Sequence, residues 1–544
     1  MKMEESKVES PAPETVASED VDVVSTPYIL GWRLHVITIA LCLSIFLASL
    51  EVSIVATSLV AISNSLKSFE QSSWIINSYM LTYTGFLIIW AKLSDIFGRK
   101  LFILSSILLF VIFSGACGAA QTTEQLIVFR AFQGLAGAGT YSLTVVIFFE
   151  LVPPAKFATY TSLVSGVLAI ALLLGPLLGG AITNGTTWRW IFLINVPVGI
   201  VAVLALILTV PNGFPHHIAT SASKNVSTKT KLLSKNNFKR IDFAGTTLLL
   251  AASILLVAAF EEAARGRNWD SALIISFLVV SILIWVVFIV WERRVTLASG
   301  IMEPIFPWRF LQSRVRIGMI LSMILTGGPF TVCVIQIPQR FQAVNGLSSL
   351  DAGIRLLPFA IASPFGSALS PAICKKCKVP PVYLCFVGSA LQIIGFALLS
   401  TLPDSSTTFH GQYGYQFVAG VGVGINLACL VVMAPFTVEE RDKSVAMSSM
   451  VQFRTLGGAL CLAIASSVFN DFIRARFLHI LSPQEVDVIL KSTEAIKFVP
   501  ADIRMELTKI FSRGYDLQFK ILIGFAAAQI PASALMWKRN QVMV

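Results

Sequence analysis

Two residues deep inside apolar runs are the first candidates for chemistry. Glu51 lies in the run at about 35–61, and Arg130 in the run at about 126–149. A charge at mid-membrane costs about 2.5–3.5 kcal/mol on insertion scales, so one kept there has a task. Counted from the start of its run, Glu51 is about 24 Å along a helix rising about 1.5 Å per residue. Arg130 stands a few residues into a run that enters from the opposite side, so the two depths are compatible. A guanidinium beside a carboxylate favours the ionised form, and withdrawing it favours proton uptake. The pair could therefore bind and release a proton as the helices move. In the competing reading Arg130 anchors at the outer interface and Glu51 bonds locally. Arg355 and Arg454 are further intramembrane charges, and Arg355 could snorkel outward.

A second group is the charged turn Ala91-Lys92-Leu93-Ser94-Asp95-Ile96-Phe97-Gly98-Arg99-Lys100, wedged between two apolar runs. Asp95 and Arg99 stand four residues apart, one helical turn, and can pair. An exposed pair is worth only about 0–1 kcal/mol. Such a pair matters most if it forms in one conformation alone, with Asp95 meeting a helix N-terminus or an arginine of another part of the chain. Gly98 permits a sharp turn. Asp95, Gly98, Arg99 and Lys100 thus form a candidate cytoplasmic gate. The alternative is a basic loop that orients the chain, with an incidental aspartate. Gly175, Pro176, Gly179 and Gly180 would bend and thin a fifth run and let another helix approach closely.

The elements that must position these residues follow from hydropathy. The 544 residues are 55% hydrophobic and 13% charged, against about 25% charged in soluble domains; mean hydropathy is +0.77. Runs long enough to cross a bilayer fall near 35–61, 72–92, 101–120, 126–149, 158–183, 189–210, 243–262, 272–291, 316–337, 352–373, 380–400, 412–435, 446–469 and 518–537. Alternate loops concentrate Lys and Arg, which puts both termini in the cytoplasm. The net charge of +11 reads as membrane orientation and not as nucleic-acid binding. Six of the eight cysteines lie inside apolar runs as packing residues; Cys374 and Cys377 form an isolated CxxC among lysines, a poor zinc site.

Phe132-Gln133-Gly134-Leu135-Ala136-Gly137-Ala138-Gly139 in the fourth run is similar to Val418-Ala419-Gly420-Val421-Gly422-Val423-Gly424 in the twelfth. If runs 7 and 8 are an insert, these occupy equivalent places in two parallel six-helix halves. The expected fold is all-α: a polytopic membrane protein of about 14 helices, two six-helix halves plus two inserted helices. The expected units are a disordered tail 1–32, an N-terminal half 33–210, a basic loop 211–242, inserted helices 243–291 and a cytoplasmic loop 292–315. A C-terminal half 316–537, containing an extracellular loop 470–517, and a tail 538–544 complete the chain. In that extracellular loop Ser482, with Glu485 three residues on, is placed to cap a short helix.

Several motifs in order resemble the major facilitator superfamily. Leu93 through Lys100 looks like its loop 2–3 signature, with Ala91 where a glycine is usual, and Arg130 through Gly139 is similar to its fourth-span motif. Gly175-Pro176-Leu177-Leu178-Gly179-Gly180 resembles its antiporter motif. Leu50-Glu51-Val52-Ser53-Ile54-Val55-Ala56-Thr57 and Trp188 through Gly199 resemble the fourteen-span drug:proton antiporter branch. Asp351 through Pro358 and Gln452 through Gly458 resemble fungal toxin-efflux members.

The resemblance implies a proton-coupled exporter of small apolar organic compounds such as a toxin, secondary metabolite or drug. It implies small-molecule substrate and protons as partners, a monomer, no cofactor, no metal and no nucleic acid. The plasma membrane is the expected site, with a vacuolar or vesicle membrane as the alternative. Proton-coupled uptake, for example of an iron chelate, is the second reading. No phosphate-cradling loop supports an ATP-driven pump. The scattered histidines His35, His216, His217, His410 and His479 offer no catalytic constellation for a membrane enzyme. Asn184-Gly185-Thr186 is a glycosylation sequon on the expected outer side, hugging the membrane; Asn225-Val226-Ser227 falls in a loop expected to be cytoplasmic.

Overall fold

A computed structural model describes residues 28–539 and 541, except 67–71, 154–155, 213, 215–234, 265–266, 299, 404–407, 483–484 and 487–499. Residues 1–27 of the expected tail, most of the basic loop 211–242 with the Asn225 sequon, and 542–544 lie outside the described residues.

Among the described residues, fourteen helices are long and apolar enough to cross a membrane. They are α1 (Trp32–Ser65), α2 (Ser72–Phe97), α3 (Arg99–Ala119), α4 (Thr123–Leu151), α5 (Phe157–Gly185), α6 (Asn195–Thr209, crossing together with the turn before it as the span Trp190–Thr209) and α7 (Phe243–Ala264). Then come α8 (Ala272–Ala298), α9 (Arg314–Asn345), α10 (Leu357–Cys377), α11 (Pro381–Leu399), α12 (Gln412–Met433), α13 (Lys443–Phe477) and α14 (Ala501–Leu535). The first six pack among themselves, as do the last six. Helices α7 and α8 pair with each other, and α7 lies against both α2 and α13. The halves meet along α2–α13 and α5–α10.

Helices in lipid gain little from hiding apolar surface from one another, so small residues decide which backbones approach. The repeat read in the sequence marks two such places. A Cβ at Gly134 of α4 would stand 2.3 Å from the Tyr79 carbonyl oxygen of α2. A Cβ at Gly420 of α12 would stand 2.7 Å from the Phe359 carbonyl oxygen of α10. Helices 2 and 10, like 4 and 12, are equivalent once α7 and α8 are counted as an insert. The same contact therefore recurs in both halves.

One boundary needs correction. The loop expected over 470–517 is much shorter, because α13 continues to Phe477 and α14 begins at Ala501. Hydropathy stopped at the charges Asp471, Arg474 and Arg476 and resumed only after Arg504, Lys509 and Arg513. Yet both helices extend past the apolar stretch and pack together through Ile473, Phe477, Leu507, Phe511 and Tyr515. Ser482 does cap as expected: its Oγ accepts from the Glu485 N–H at 3.4 Å, and Glu485 Oε2 accepts from the Ser482 N–H at 2.9 Å. The sixth run is also broken, into a short turn Trp190–Leu193 and α6. Pro197 then falls in the first turn of α6, where its missing N–H leaves no helical bond unmade.

Candidate functional site

Glu51 and Arg130 meet inside the N-terminal half. Arg130 Nη1 lies 2.6 Å from Glu51 Oε1, and the two side chains are 1% and 0% exposed. Five elements hold the pair. Asn195, the first residue of α6, donates from Nδ2 to Glu51 Oε2 at 2.6 Å. Gln133, one turn after Arg130 on α4, accepts from Nη1 at 2.8 Å and donates to Ser114 Oγ of α3 at 2.7 Å. Arg130 Nε donates to the Ile75 carbonyl of α2 at 3.0 Å, and its guanidinium lies 4.3 Å from the Tyr79 ring centroid. Each Glu51 oxygen thus has a donor, which is what a buried carboxylate requires. Sequence reading found the two charges and missed Asn195, Gln133 and Ser114. Asn195 and Gln133 stood in the motifs already noted, and their spacing gave no sign that they would converge here.

The glycine and proline group of α5 stands beside this site. A Cβ at Gly175 would lie 1.9 Å from Ser53 Oγ and 3.0 Å from the Ile54 nitrogen of α1, so two residues past Glu51 the helices almost touch. Pro176 lies inside α5, and Gly179 is buried. Gly180 departs from the expectation: nothing lies within 4 Å of where its Cβ would be, in contrast to Gly175.

At the turn between α2 and α3, Asp95 pairs with Arg99 and also accepts from the Ser444 hydroxyl of α13. Gly98 between α2 and α3 has φ +107° with open space around it, so the turn itself demands glycine. Arg99 adds a pair to Glu150 of α4 at 2.8 Å, a partner the sequence did not reveal. Lys100 does not face the other half; its Nζ donates to the Ile207 and Val210 carbonyls at 3.0 and 2.5 Å, at the end of α6. A lysine is well placed there, where helix carbonyls are left unpaired. Next to this cluster, Lys92 Nζ meets Glu303 Oε2 at 2.7 Å and Arg240 Nη2 meets Glu303 Oε1 at 2.6 Å. Arg309 pairs with Asp442 just before α13. Burial acts to raise the Glu303 carboxyl, but Lys92 and Arg240 outweigh it and hold it below the usual carboxylate range. These groups line a cavity of about 610 Å³ between the helix ends.

The other intramembrane charges go to different places. Arg355 Nη1 donates to the Tyr413 hydroxyl at 2.7 Å within the C-terminal half. Arg454 Nη2 donates to the Tyr141 hydroxyl of α4 at 3.0 Å, across the seam between the halves. Asn184 lies in the last turn of α5, and its side chain is outside the described residues.

The Major Facilitator Superfamily model matches residues 41–461. The chain belongs to the Major Facilitator Superfamily. The transporter is 42% identical over 525 residues to the MFS-type transporter FPY5 of Fusarium mangiferae, covering 96% of this chain and 87% of that one. It is 29% identical to the MFS-type efflux pump MFS1 of Trichophyton rubrum over 97% and 95% of the two chains. Multidrug resistance protein 3 of Bacillus subtilis is 30% identical over 79% of each. Among solved structures, a bacterial homologue of the human lysosomal transporter Spinster superposes with TM-score 0.58 at 16% identity, covering 94% of this chain and all of that one. That likeness concerns the fold. The transporter is all-α, with two six-helix bundles and two inserted helices.

Proposed function

We propose that this transporter exports small, largely apolar organic molecules across the plasma membrane in exchange for protons. The observation that carries the coupling is the Glu51–Arg130 pair, sealed among Asn195, Gln133 and Tyr79. Such a carboxylate is stable as an anion while Arg130 and Asn195 hold it. A movement of α1 against α4 and α6 that withdraws them leaves a buried, unpaired charge, which a proton neutralises. The close contact at Gly175 ties α5 to the same stretch of α1, so α1 cannot shift without engaging the helix that lines the seam between the halves. Proton binding and rearrangement of the halves are thereby linked. Relatives named as efflux pumps support the outward direction.

The test is reconstitution in liposomes with an imposed pH gradient and a panel of apolar fluorescent dyes. Dye should move against the proton flux. Glu51→Gln should abolish gradient-driven movement while retaining dye binding. Undiminished pH-dependent export by that variant would defeat the coupling role, and accumulation in the direction of proton flow would favour uptake.

A further inference from the structure

We propose that Arg454 makes the substrate seam selective for organic anions: molecules with an aromatic or otherwise apolar body carrying one acidic group. This rests on the exporter reading above and names its substrate class. Arg454 is 11 residues into α13, about 16 Å from its cytoplasmic end. Tyr141, its partner on α4, is about 15 Å from the cytoplasmic end of its own helix. Both stand near the middle of a hydrocarbon layer about 30 Å thick. At that depth a cation is retained only where a partner or an aqueous cavity receives it.

The surroundings of Arg454 contrast with those of Arg130. Arg130 is closed off and neutralised by Glu51. Among the described residues Arg454 has no carboxylate in ion-pairing range, and its hydrogen-bond partner is the neutral Tyr141 hydroxyl. The side chain is half-buried and borders a small chamber of about 40 Å³. That chamber is lined from both halves, by Tyr141, Val145 and Leu168 on one side and by Met323, Leu427 and Val451 on the other. A second apolar chamber shares Ser165, Leu168 and Leu427 with it and is lined further by Phe330 and Phe359. The Arg454 guanidinium lies 5.6 Å from the Tyr141 ring centroid and 5.9 Å from that of Phe330. The seam thus presents a full positive charge in an apolar, aromatic wall. A guanidinium has five N–H donors and one described bond here, which leaves a fork suited to a carboxylate or sulfonate. Apolar walls take up the body of the ligand, and the charge rejects cationic analogues. The chambers as they stand hold only water-sized groups, so a ligand enters when the halves separate, as alternating access requires.

Two dyes on one xanthene scaffold test this: fluorescein, an anion, and rhodamine 123, a cation. Binding to the purified full-length transporter is read by fluorescence anisotropy at neutral pH. Fluorescein should bind at least about tenfold more tightly. Arg454→Gln should erase the preference, and Arg454→Lys, which keeps the charge, should retain most of it. Size-exclusion profiles of both variants check that they fold; a misfolded Arg454→Gln leaves the wild-type preference and its retention in Arg454→Lys as the deciding readouts. Absent fluorescein binding, equal affinities, a preference for rhodamine 123, or a preference that survives in folded Arg454→Gln would overturn the proposal. Gradient-driven export of rhodamine 123 alone would leave the exporter reading standing and remove this one. Anion-selective binding without gradient-driven movement would do the reverse.

Discussion

Asp95 of α2 accepts a hydrogen bond from Ser444 of α13, joining the two halves at these helix ends while the same carboxylate pairs with Arg99 inside its own half. The aspartate is thus shared between an intra-half pair and an inter-half contact at the start of a helix. Separating the ends of α2 and α13 would break the second and leave the first. That is how a pair of modest energy can bias one conformation over another.

Asp95→Asn is expected to slow transport while leaving the protein inserted. A hydrogen bond to a charged group is worth about 1.5–3 kcal/mol. The asparagine oxygen can still accept from Ser444, so only the charge-assisted part, about 1 kcal/mol, is removed, which shifts the equilibrium between joined and separated helix ends by roughly fivefold. Transport rate and surface expression measured together check this; unchanged kinetics would reduce the turn to an orientation signal.

Arg130→Ala should be the most damaging of the substitutions considered for stability. Breaking a buried ion pair from one side costs about 3–5 kcal/mol, because the remaining charge has lost its partner. Arg130→Ala combined with Glu51→Gln should recover part of that loss, since no lone carboxylate remains. Thermal unfolding in detergent distinguishes the single from the double variant, and a double variant no more stable than the single would contradict the pairing account.

At Gly175 an added methyl would collide with Ser53, whereas at Gly180 it would meet open space. Gly175→Ala should therefore destabilise by about 1–3 kcal/mol, the usual cost of overpacking. Gly180→Ala should stay within about 0.5 kcal/mol of wild type. Melting temperatures of the two variants, measured side by side, decide whether the contact or the glycine content of α5 matters.

Glu303 supplies a pH test outside the membrane spans. Its carboxyl is held below the usual carboxylate range by Lys92 and Arg240. A depressed acid contributes stability above its unfolded value, about 4.3, and loses that contribution as pH falls through its folded value. Wild type should therefore exceed Glu303→Gln in stability at neutral pH, with the gap closing only below about pH 4. A gap that is already absent at pH 7 would show that the Lys92–Glu303–Arg240 link adds nothing.

For topology, Ser482→Cys should react with an impermeant thiol reagent added outside intact cells, and Lys239→Cys should not. Labelling of the latter from outside would invert the orientation.

The sequence by itself determined the class and the number of spans, because hydropathy acts locally and leaves its mark residue by residue. It also exposed Glu51, Arg130 and Asp95, since a charge in an apolar run or a tight turn stands out. Gly134 and Gly420 were legible as a repeat for the same reason. What only the tertiary structure decided is which helices touch. Equal depth along two helices does not specify their rotation or neighbours, so the Glu51–Arg130 contact and the arrival of Asn195, Gln133 and Ser114 around it depended on the packing of α1, α3, α4 and α6. Lys100 and Arg99 are adjacent in sequence, yet one binds the end of α6 and the other pairs with Asp95 and Glu150. Successive residues on a helix point about 100° apart, and only the packed bundle says what stands in each direction. The charged ends of α13 and α14 were hidden for the opposite reason: polar residues stopped the hydropathy signal while tertiary contacts kept the helices going.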